Sequence, residues 1–339
     1  METQPVKNTR GRKPKNDNKT EISVDNQQKK RGRKNKKQLN ILDYLNTQQN
    51  QQQIQQQTPQ ISQQQISEKS EENDENMIFE FRTLQSNTFK ILIDTLKEIL
   101  VEGNFECTKN GIRLISKCEK RGLLIDLNLK AENFEYYKCA EKIYIGLALD
   151  NLYKLIKPIN NNSTLVFGIE ENETQALIVK LSNNEKKITK TYTLKLIDLD
   201  WINHKIDNTE YDSILYITVP IFQKVCKDMS SIGDQVSIKI YKNRMILNMI
   251  PSDDKNTENI INEETIIDES EQYMKFIKTS NNIIQGTYNL KDLIVFNKCG
   301  NMANGTLKIY VKKEKPLILE YNIGILGTIR MSIEQLDKK

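Results

Sequence analysis

From Met77 onward, apolar residues recur at two spacings that alternate along the chain and are separated by short polar breaks. Stretches with apolar residues at i, i+3, i+4 and i+7, such as residues 89–99, indicate amphipathic helices. Stretches in which every second residue is apolar indicate half-buried strands. The pattern therefore predicts a folded body of helices and many short strands that begins at Met77, within a few residues.

The body repeats its own pattern. When the chain is aligned on itself, helix and strand positions match without a gap, pairing Phe89 with Phe222, Leu96 with Met229, Phe105 with Ile238 and Leu114 with Leu247. A second helix aligns at a slightly larger shift, with Leu149 opposite Leu290 and Lys157 opposite Lys298. We predict an α+β protein with two similar domains, each containing two helices and antiparallel sheets.

Composition divides the chain into segments. We predict a disordered tail at residues 1–76, a first domain at 77–193, a connector at 194–210 that carries the single tryptophan, and a second domain at 211–339. The tail is rich in Gln, Asn, Lys and Ser, so it has too little apolar surface to offset the entropy of ordering. Residues 253–271 form an acidic insertion, which we predict to be a solvated loop.

Charge is distributed unevenly between the tail and the body. Residues 1–40 contain 13 Lys and Arg against 4 Asp and Glu, whereas the whole chain has a formal net charge of only +5. A basic arm is thus joined to a slightly acidic body, a pattern typical of nucleic-acid-binding tails.

Two short motifs in the arm resemble AT-hooks, in which an extended Arg-Gly-Arg lies in a narrow A·T minor groove. They are Arg10-Gly11-Arg12 and Arg31-Gly32-Arg33. A nuclear-import signal at residues 29–37, or a nonspecific phosphate-binding arm, explains the same residues, and we favour that interpretation.

Candidate catalytic and metal-binding chemistry is sparse. The five cysteines are widely spaced and form no C-x-x-C pair, which predicts reduced thiols in an intracellular protein. His204 is the single histidine, so His-based triads and zinc sites are disfavoured. No nucleotide-binding glycine motif occurs, and no apolar run is long enough to cross a bilayer. We therefore predict no enzyme activity, no cofactor, no metal and no membrane association.

Each predicted helix carries two lysines outside its apolar stripe, at spacings that place both on one side of the helix. These are Lys90 and Lys97, Lys154 and Lys157, Lys224 and Lys227, and Lys291 and Lys298. Solubility would explain exposed lysines on a single helix. Four such helices in an acidic body instead predict one shared basic surface, which would contact phosphates without reading base edges.

Four blocks occur in colinear order in the body: Met77-Ile78-Phe79-Glu80-Phe81-Arg82, K-L-x-D-L-D at residues 195–200, S-x-I-G-D at residues 230–234, and Pro316-Leu317-Ile318-Leu319-Glu320-Tyr321. They resemble the proliferating cell nuclear antigen (PCNA) family of eukaryotic and viral DNA sliding clamps. The resemblance excludes residues 1–76. It implies a DNA-clamp fold and a ring-shaped homotrimer, in which helices line a hole threaded by duplex DNA.

The resemblance also implies a function without bond chemistry. Such a ring would be a processivity factor for a DNA polymerase in replication and repair, in the nucleus or in a viral replication compartment. It would tether the polymerase, a clamp loader and other partners through effective concentration. The eight helix lysines correspond to basic positions of the family, most of them lining the channel. The partner-peptide pocket would consist of Lys117, Gly122, His204, Ile206, Ser332 and Glu334.

One apolar island in the tail resembles the peptide that binds this pocket, Q-x-x-[ILM]-x-x-aromatic-aromatic. Gln38, Ile41, Tyr44 and Leu45 hold the four defining positions, and Leu45 departs from the second aromatic residue. One turn of 3₁₀ helix would bring Ile41 and Tyr44 to the same side. The segment would then compete with replication partners for the pocket of its own ring. A chance amphipathic turn is the alternative.

Two other functions stay open. The polar pocket residues fit a subunit of a heterotrimeric, checkpoint-type or paralogous clamp. From a different class, an AT-hook-type chromatin factor would bind DNA through residues 1–40 alone and use the body for protein interactions.

Overall fold

The computed structural model describes residues 76–183, 185–200, 204, 210–250 and 261–336. Within these ranges the chain forms four α-helices, which are α1 (Ser86–Ile99), α2 (Leu149–Ile156), α3 (Val219–Ser230) and α4 (Leu290–Asn297). It also forms eighteen strands, which are β1 (Met77–Thr83), β2 (Glu102–Thr108), β3 (Gly111–Cys118), β4 (Leu123–Lys130), β5 (Tyr136–Cys139), β6 (Ile143–Ala148), β7 (Ser163–Glu170), β8 (Ala176–Asn183), β9 (Ile188–Lys195), β10 (Ser213–Thr218), β11 (Gln235–Tyr241), β12 (Arg244–Ile250), β13 (Glu264–Asp268), β14 (Met274–Lys278), β15 (Ile284–Asn289), β16 (Thr306–Val311), β17 (Leu317–Ile323) and β18 (Gly327–Ile333).

The two halves of the body contain the same elements in the same order, so the predicted duplication is confirmed. Each half consists of one strand, a helix, five strands, a second helix and three strands. The predicted alignment holds for individual elements. The first residue of β11 is the counterpart of the first residue of β2, and α4 begins at Leu290, the counterpart of Leu149 at the start of α2. The first half ends with β9 and the second with β18.

The strands form three antiparallel sheets. Their orders are β5-β1-β7-β8-β9, then β14-β10-β16-β17-β18-β4-β3-β2-β6, and β13-β12-β11-β15. Each half thus supplies one five-stranded and one four-stranded arrangement. The nine-stranded sheet spans both halves because β18 of the second half pairs with β4 of the first.

The four helices pack together on their lateral sides. α1 contacts α2, α3 contacts α4, and α1 also contacts α4 and the 3₁₀ turn Lys298–Asn301 that follows it. Their apolar faces are buried in the core, through Phe89 and Leu92 of α1 and Phe222 and Met229 of α3. Burial of one such side chain stabilises the fold by about 1.5–3 kcal/mol, so burial determines which face of each helix stays outside.

The prediction of a solvated loop at residues 253–271 is wrong for its second part. β13 pairs with β12, with Glu264 opposite Asn248 and Asp268 opposite Arg244. Thr265 is half-buried while Glu264 and Asp268 are exposed, which is the alternation of a strand. The high acidic content concealed this pattern in the sequence. Residues 251–260 lie outside the described ranges.

The tail predictions also lie outside the described residues and stay predictions. They concern Arg10, Arg12, Arg31 and Arg33 of the basic motifs, and Gln38, Ile41, Tyr44 and Leu45 of the apolar island.

Candidate functional site

The two lysines of α1 lie on its outer side but are engaged with α2 and the chain that follows it. Lys90 Nζ donates to the carbonyl of Ile159 at 2.6 Å. Lys97 Nζ lies 3.2 Å from Asp94 Oδ1 and 4.6 Å from the centre of the Tyr153 ring, which belongs to α2. Partial burial lowers the pKa of Lys97, but the hydrogen bond and charge of Asp94 outweigh this effect and raise it.

Two more of the predicted lysines form ion pairs. Lys154 Nζ lies 2.8 Å from Asp150 Oδ2 one helical turn away, and this hydrogen bond lowers the pKa of Asp150. Lys298, directly after α4, pairs with Glu98 of α1 and thus links the two halves.

The remaining four lysines of the predicted surface are exposed. They are Lys157, Lys224, Lys227 and Lys291, and none of them forms an ion pair within the described part of the chain. The structure therefore brings all eight lysines to the helix layer, where four have a bonding partner and four form no ion pair with another described residue.

A cavity of about 710 Å³ lies where the loop after β3 meets α4 and the segment after β18. Of the predicted pocket residues, Gly122 and Glu334 line it, and Glu334 N donates to Gly122 O at 2.9 Å. Gly122 adopts a left-handed conformation with φ of 59°, which glycine tolerates without strain. Lys117 lies next to this cavity and forms ion pairs with Glu119 and Glu334, at 3.0 Å and 3.7 Å.

Two other predicted pocket residues, Ser332 and His204, are not among the described residues that line the cavity. Ser332 is buried within β18, opposite Leu124 and Ile318. His204 is half-buried, and Ile206 lies outside the described residues.

Arg121 and Asp292 line the same cavity and were missed by the sequence analysis. Arg121 Nε donates to Asp292 Oδ1 at 2.8 Å and Nη1 donates to the carbonyl of Glu98 at 2.9 Å. Asp292 is 5% exposed, so its charge depends on this guanidinium for compensation. The two residues are far apart in the sequence, which left no local signal of the pair.

The two halves differ in whether two equivalent strand edges are paired. β18 and β4 pair with each other at seven positions, but their counterparts β9 and β13 each lack a partner on one side within the described residues. Tyr192 and Leu194 of β9 are half-buried against the core, and Ile188 is 50% exposed. Ile267 of β13 is likewise half-buried, whereas Ile266 is 49% exposed.

Sites for other chemistry are missing from the described ranges. No group of three His, Cys, Asp or Glu side chains there is arranged to hold a metal ion, and all five cysteines are free. None of the helices described there has the length and apolar character needed to span a bilayer.

Comparisons with known proteins identify the family. The family model for the N-terminal domain of proliferating cell nuclear antigen matches residues 78–204, and the model for its C-terminal domain matches residues 205–335. The chain is 30% identical over 260 residues to "Probable DNA polymerase sliding clamp 1" of Paramecium bursaria Chlorella virus 1, covering 76% of this chain and 97% of the relative.

A solved structure shares the fold. The crystal structure of proliferating cellular nuclear antigen from Entamoeba histolytica superposes with a TM-score of 0.68 at 21% identity, covering 77% of this chain and all of the other. The two family models together match most of the chain and meet between the two structural repeats. The chain therefore belongs to the proliferating cell nuclear antigen family.

Proposed function

We propose that the chain is a DNA sliding clamp, which joins edge to edge with further copies into a closed ring around duplex DNA. The observation that carries this proposal is the pair of unmatched edges at β9 and β13. Within the chain, the equivalent edges β18 and β4 are already joined. A second copy would satisfy β9 and β13 in the same way.

The duplication predicts which residues of β9 would lie opposite which residues of β13 in the neighbouring copy. Tyr192 lies opposite Val179 in the β8–β9 pair, as Met331 lies opposite Leu319 in the β17–β18 pair. In the same way, the β3–β4 pair of the first half corresponds to the β12–β13 pair of the second half. Transfer of the β18–β4 register then places Ile188 opposite Ile267, Lys190 opposite Thr265 and Tyr192 opposite Glu263 of the neighbouring copy. The apolar pair lies on the inner side of the joint, where half-buried residues of both strands point.

Because the two edges differ, the contact is head to tail, and head-to-tail contacts close into a ring when the rotation permits. The family resemblance gives three copies per ring. The domains are then the two repeats, at residues 77–193 and 211–339, joined by the connector at 194–210.

The helix layer forms the inner wall of this ring in our proposal. The DNA-contacting residues are Lys90, Lys97, Lys154, Lys157, Lys224, Lys227, Lys291 and Lys298, with Arg10, Arg12, Arg31 and Arg33 of the tail adding affinity. A closed ring does not dissociate sideways, so weak and sequence-independent phosphate contacts are sufficient. The ring makes and breaks no bond and needs no cofactor. It works in the nucleus or in a viral replication compartment.

Partners dock at the cavity beside Gly122 and Glu334. A polymerase, a clamp loader and other proteins with clamp-binding peptides would contact Gly122, Glu334, Arg121 and Leu336 of the cavity wall and Lys117 beside it. His204, Ile206 and Ser332 complete the pocket that the family resemblance implies. The tail segment with Gln38, Ile41, Tyr44 and Leu45 would compete for it. Deletion of residues 38–45 should then raise the affinity for a polymerase peptide, and unchanged affinity would count against this competition.

The assembly is tested by light scattering on the full chain and on Tyr192→Ala. We expect the mass of three chains for the wild type, and dissociation favoured roughly 30-fold by the variant, since truncation of a buried interface aromatic costs about 2 kcal/mol. Tyr273→Ala removes an exposed tyrosine that belongs to neither edge strand and should leave the mass unchanged.

A topological assay tests enclosure of the DNA. A loaded wild-type ring should stay on a closed circular duplex and leave when the DNA is cut. A wild-type chain that stays monomeric, or a complex indifferent to cutting, would refute the proposal.

A further inference from the structure

The two halves of the helix layer differ in charge at equivalent positions. In the alignment of the repeats, Asp94 of α1 corresponds to Lys227 of α3. Asp150 of α2 corresponds to Lys291 of α4, and Glu98 corresponds to Ser231. Three carboxylates of the first half are thus replaced by two lysines and a serine in the second.

The carboxylates of the first half are placed to neutralise lysines. Asp94 pairs with Lys97, Asp150 pairs with Lys154, and Glu98 takes Lys298 from the second half. Each pair has a local net charge of zero, so it adds little to the attraction of a phosphate beyond the screening length of the solvent.

The lysines of α1 also hold helices together. Lys97 is only 19% exposed and lies over Tyr153 of α2, and Lys90 caps the carbonyl of Ile159. In the second half, the counterpart of Lys90 is Gln223, whose Nε2 donates to the carbonyl of Asn297 at 2.6 Å. A neutral amide therefore makes a similar link to the end of the neighbouring helix there, which indicates that Lys90 also serves packing.

The second half carries cations that are free to bind. Lys224 and Lys227 of α3 and Lys291 of α4 are exposed and form no ion pair within the described residues. Asp228 is the one exposed carboxylate of these two fully described helices, because Asp292 is buried against Arg121.

From this asymmetry we infer that the duplex is held chiefly by the second-half helices, through Lys224, Lys227 and Lys291. Asp94 and Asp150 neutralise lysines of the first half, which leaves Lys157 as its one exposed helix-layer lysine without an ion pair among the described residues. In a ring of repeated chains, strong and weak phosphate-binding sectors would then alternate around the hole. The inference rests on the proposed function and concerns only how the contacts with the DNA are distributed around the ring.

The test compares matched pairs of substitutions in the full chain. The second-half variant is Lys224→Gln with Lys227→Gln, and the first-half variant is Lys97→Gln with Lys154→Gln. Binding to a short fluorescent duplex is measured over a range of salt concentrations. The tail is unchanged in all variants, so its contribution to the salt dependence is constant.

We expect the second-half variant to lower the slope of log affinity against log salt by about 2 for each engaged subunit, because each lost phosphate contact removes about 0.9. The first-half variant should change the slope by less than about 0.5. Asp94→Asn with Asp150→Asn should raise the affinity, since it frees two lysines without adding any.

Two controls keep the result interpretable. Light scattering shows whether each variant still assembles, and Lys154→Gln alone replaces the first-half variant if loss of Lys97 impairs folding, because Lys154 is 65% exposed. An equal loss of slope from both halves would overturn the inference, while wild-type retention on circular DNA would leave the proposed function intact. Loss of that retention would overturn the proposed function itself.

Discussion

The strands β9 and β13 are the counterparts of β18 and β4 in the duplicated fold. β18 and β4 are paired with each other within the chain, in what we call the closed joint, whereas β9 and β13 each have an open edge. In the closed joint, Ile329 and Met331 of β18 and Leu127 of β4 are fully buried. On the open edge, Lys190 and Tyr192 hold the positions of Ile329 and Met331. The duplicated fold thus places its most apolar pairing inside one chain, where it need never open, and a more polar one where subunits meet.

The closed joint is also fastened by contacts that the open edges lack. Arg121 donates a hydrogen bond to Asp292 in the cavity wall, and Lys298 forms an ion pair with Glu98. Deeper in the joint, the fully buried Cys299 lies beside the buried Thr95 of α1, which partly offsets the rise that burial causes in the pKa of the thiol. These contacts couple α1 to α4 and make the two halves of one chain a single unit.

At neutral pH, loss of the Arg121 guanidinium should produce the largest change in the closed joint. Arg121→Ala leaves the Asp292 carboxylate buried without its cation, and we expect the free energy of unfolding in urea to fall by about 3 kcal/mol. Arg121→Ala combined with Asp292→Asn should recover part of the loss, since no buried charge is then unpaired.

The matched control for this prediction is Lys117→Ala, which breaks an ion pair at the mouth of the cavity. Lys117 and Glu334 are 30% and 58% exposed, so solvent screens this pair and the loss should be much smaller than that from Arg121→Ala. Equal effects of Arg121→Ala and Lys117→Ala would mean that the buried pair does not fasten the joint.

Alkaline pH should next lower the stability of the second-half core, which adjoins the closed joint at Cys299. Burial raises the pKa of Cys226 and of Cys299 from 9.0 to about 12. Above pH 9 the unfolded chain loses these protons while the folded chain keeps them, so stability falls as pH rises from 9 to about 12. The expected slope is about 1.4 kcal/mol per pH unit for each thiol.

Cys226→Ser and Cys299→Ser test this assignment, because a serine hydroxyl does not ionise in that range. Each variant should flatten the dependence of the unfolding free energy on pH by about 1.4 kcal/mol per unit. A slope that both substitutions leave unchanged would assign the alkaline weakening to other groups.

Sequence periodicity predicted the parts of this architecture that depend on neighbouring residues. The helices, the alternating strands and the duplication follow from local spacing, so α1 covers residues 89–99, whose spacing predicted a helix. β13 was missed because charged residues, Glu264 and Asp268, occupy two of its three outward positions.

The lysines that form ion pairs could be predicted from the sequence only where the partner is close along the chain. Asp94–Lys97 and Asp150–Lys154 have the i, i+3 and i, i+4 spacings of helical ion pairs, so both pairs were predictable from the sequence. The Glu98–Lys298 and Arg121–Asp292 pairs join residues that meet only after both halves have folded. No local pattern contains such information, and for the same reason the cavity wall was predicted only in part.

The smallest expected effect concerns the open edge. In the transferred register Ile188 contacts Ile267 of the next subunit, and one cross-strand apolar pair contributes about 0.2–1 kcal/mol. Ile188→Thr should therefore weaken ring assembly by roughly 1.4- to 5-fold in sedimentation at low protein concentration. The unfolding of the single chain should be unaffected, because this side chain is already 50% exposed there. Ile277→Thr, on β14 and equally exposed at 52%, should leave assembly unchanged; if it weakened assembly as much as Ile188→Thr, the subunit joint would not lie at β9.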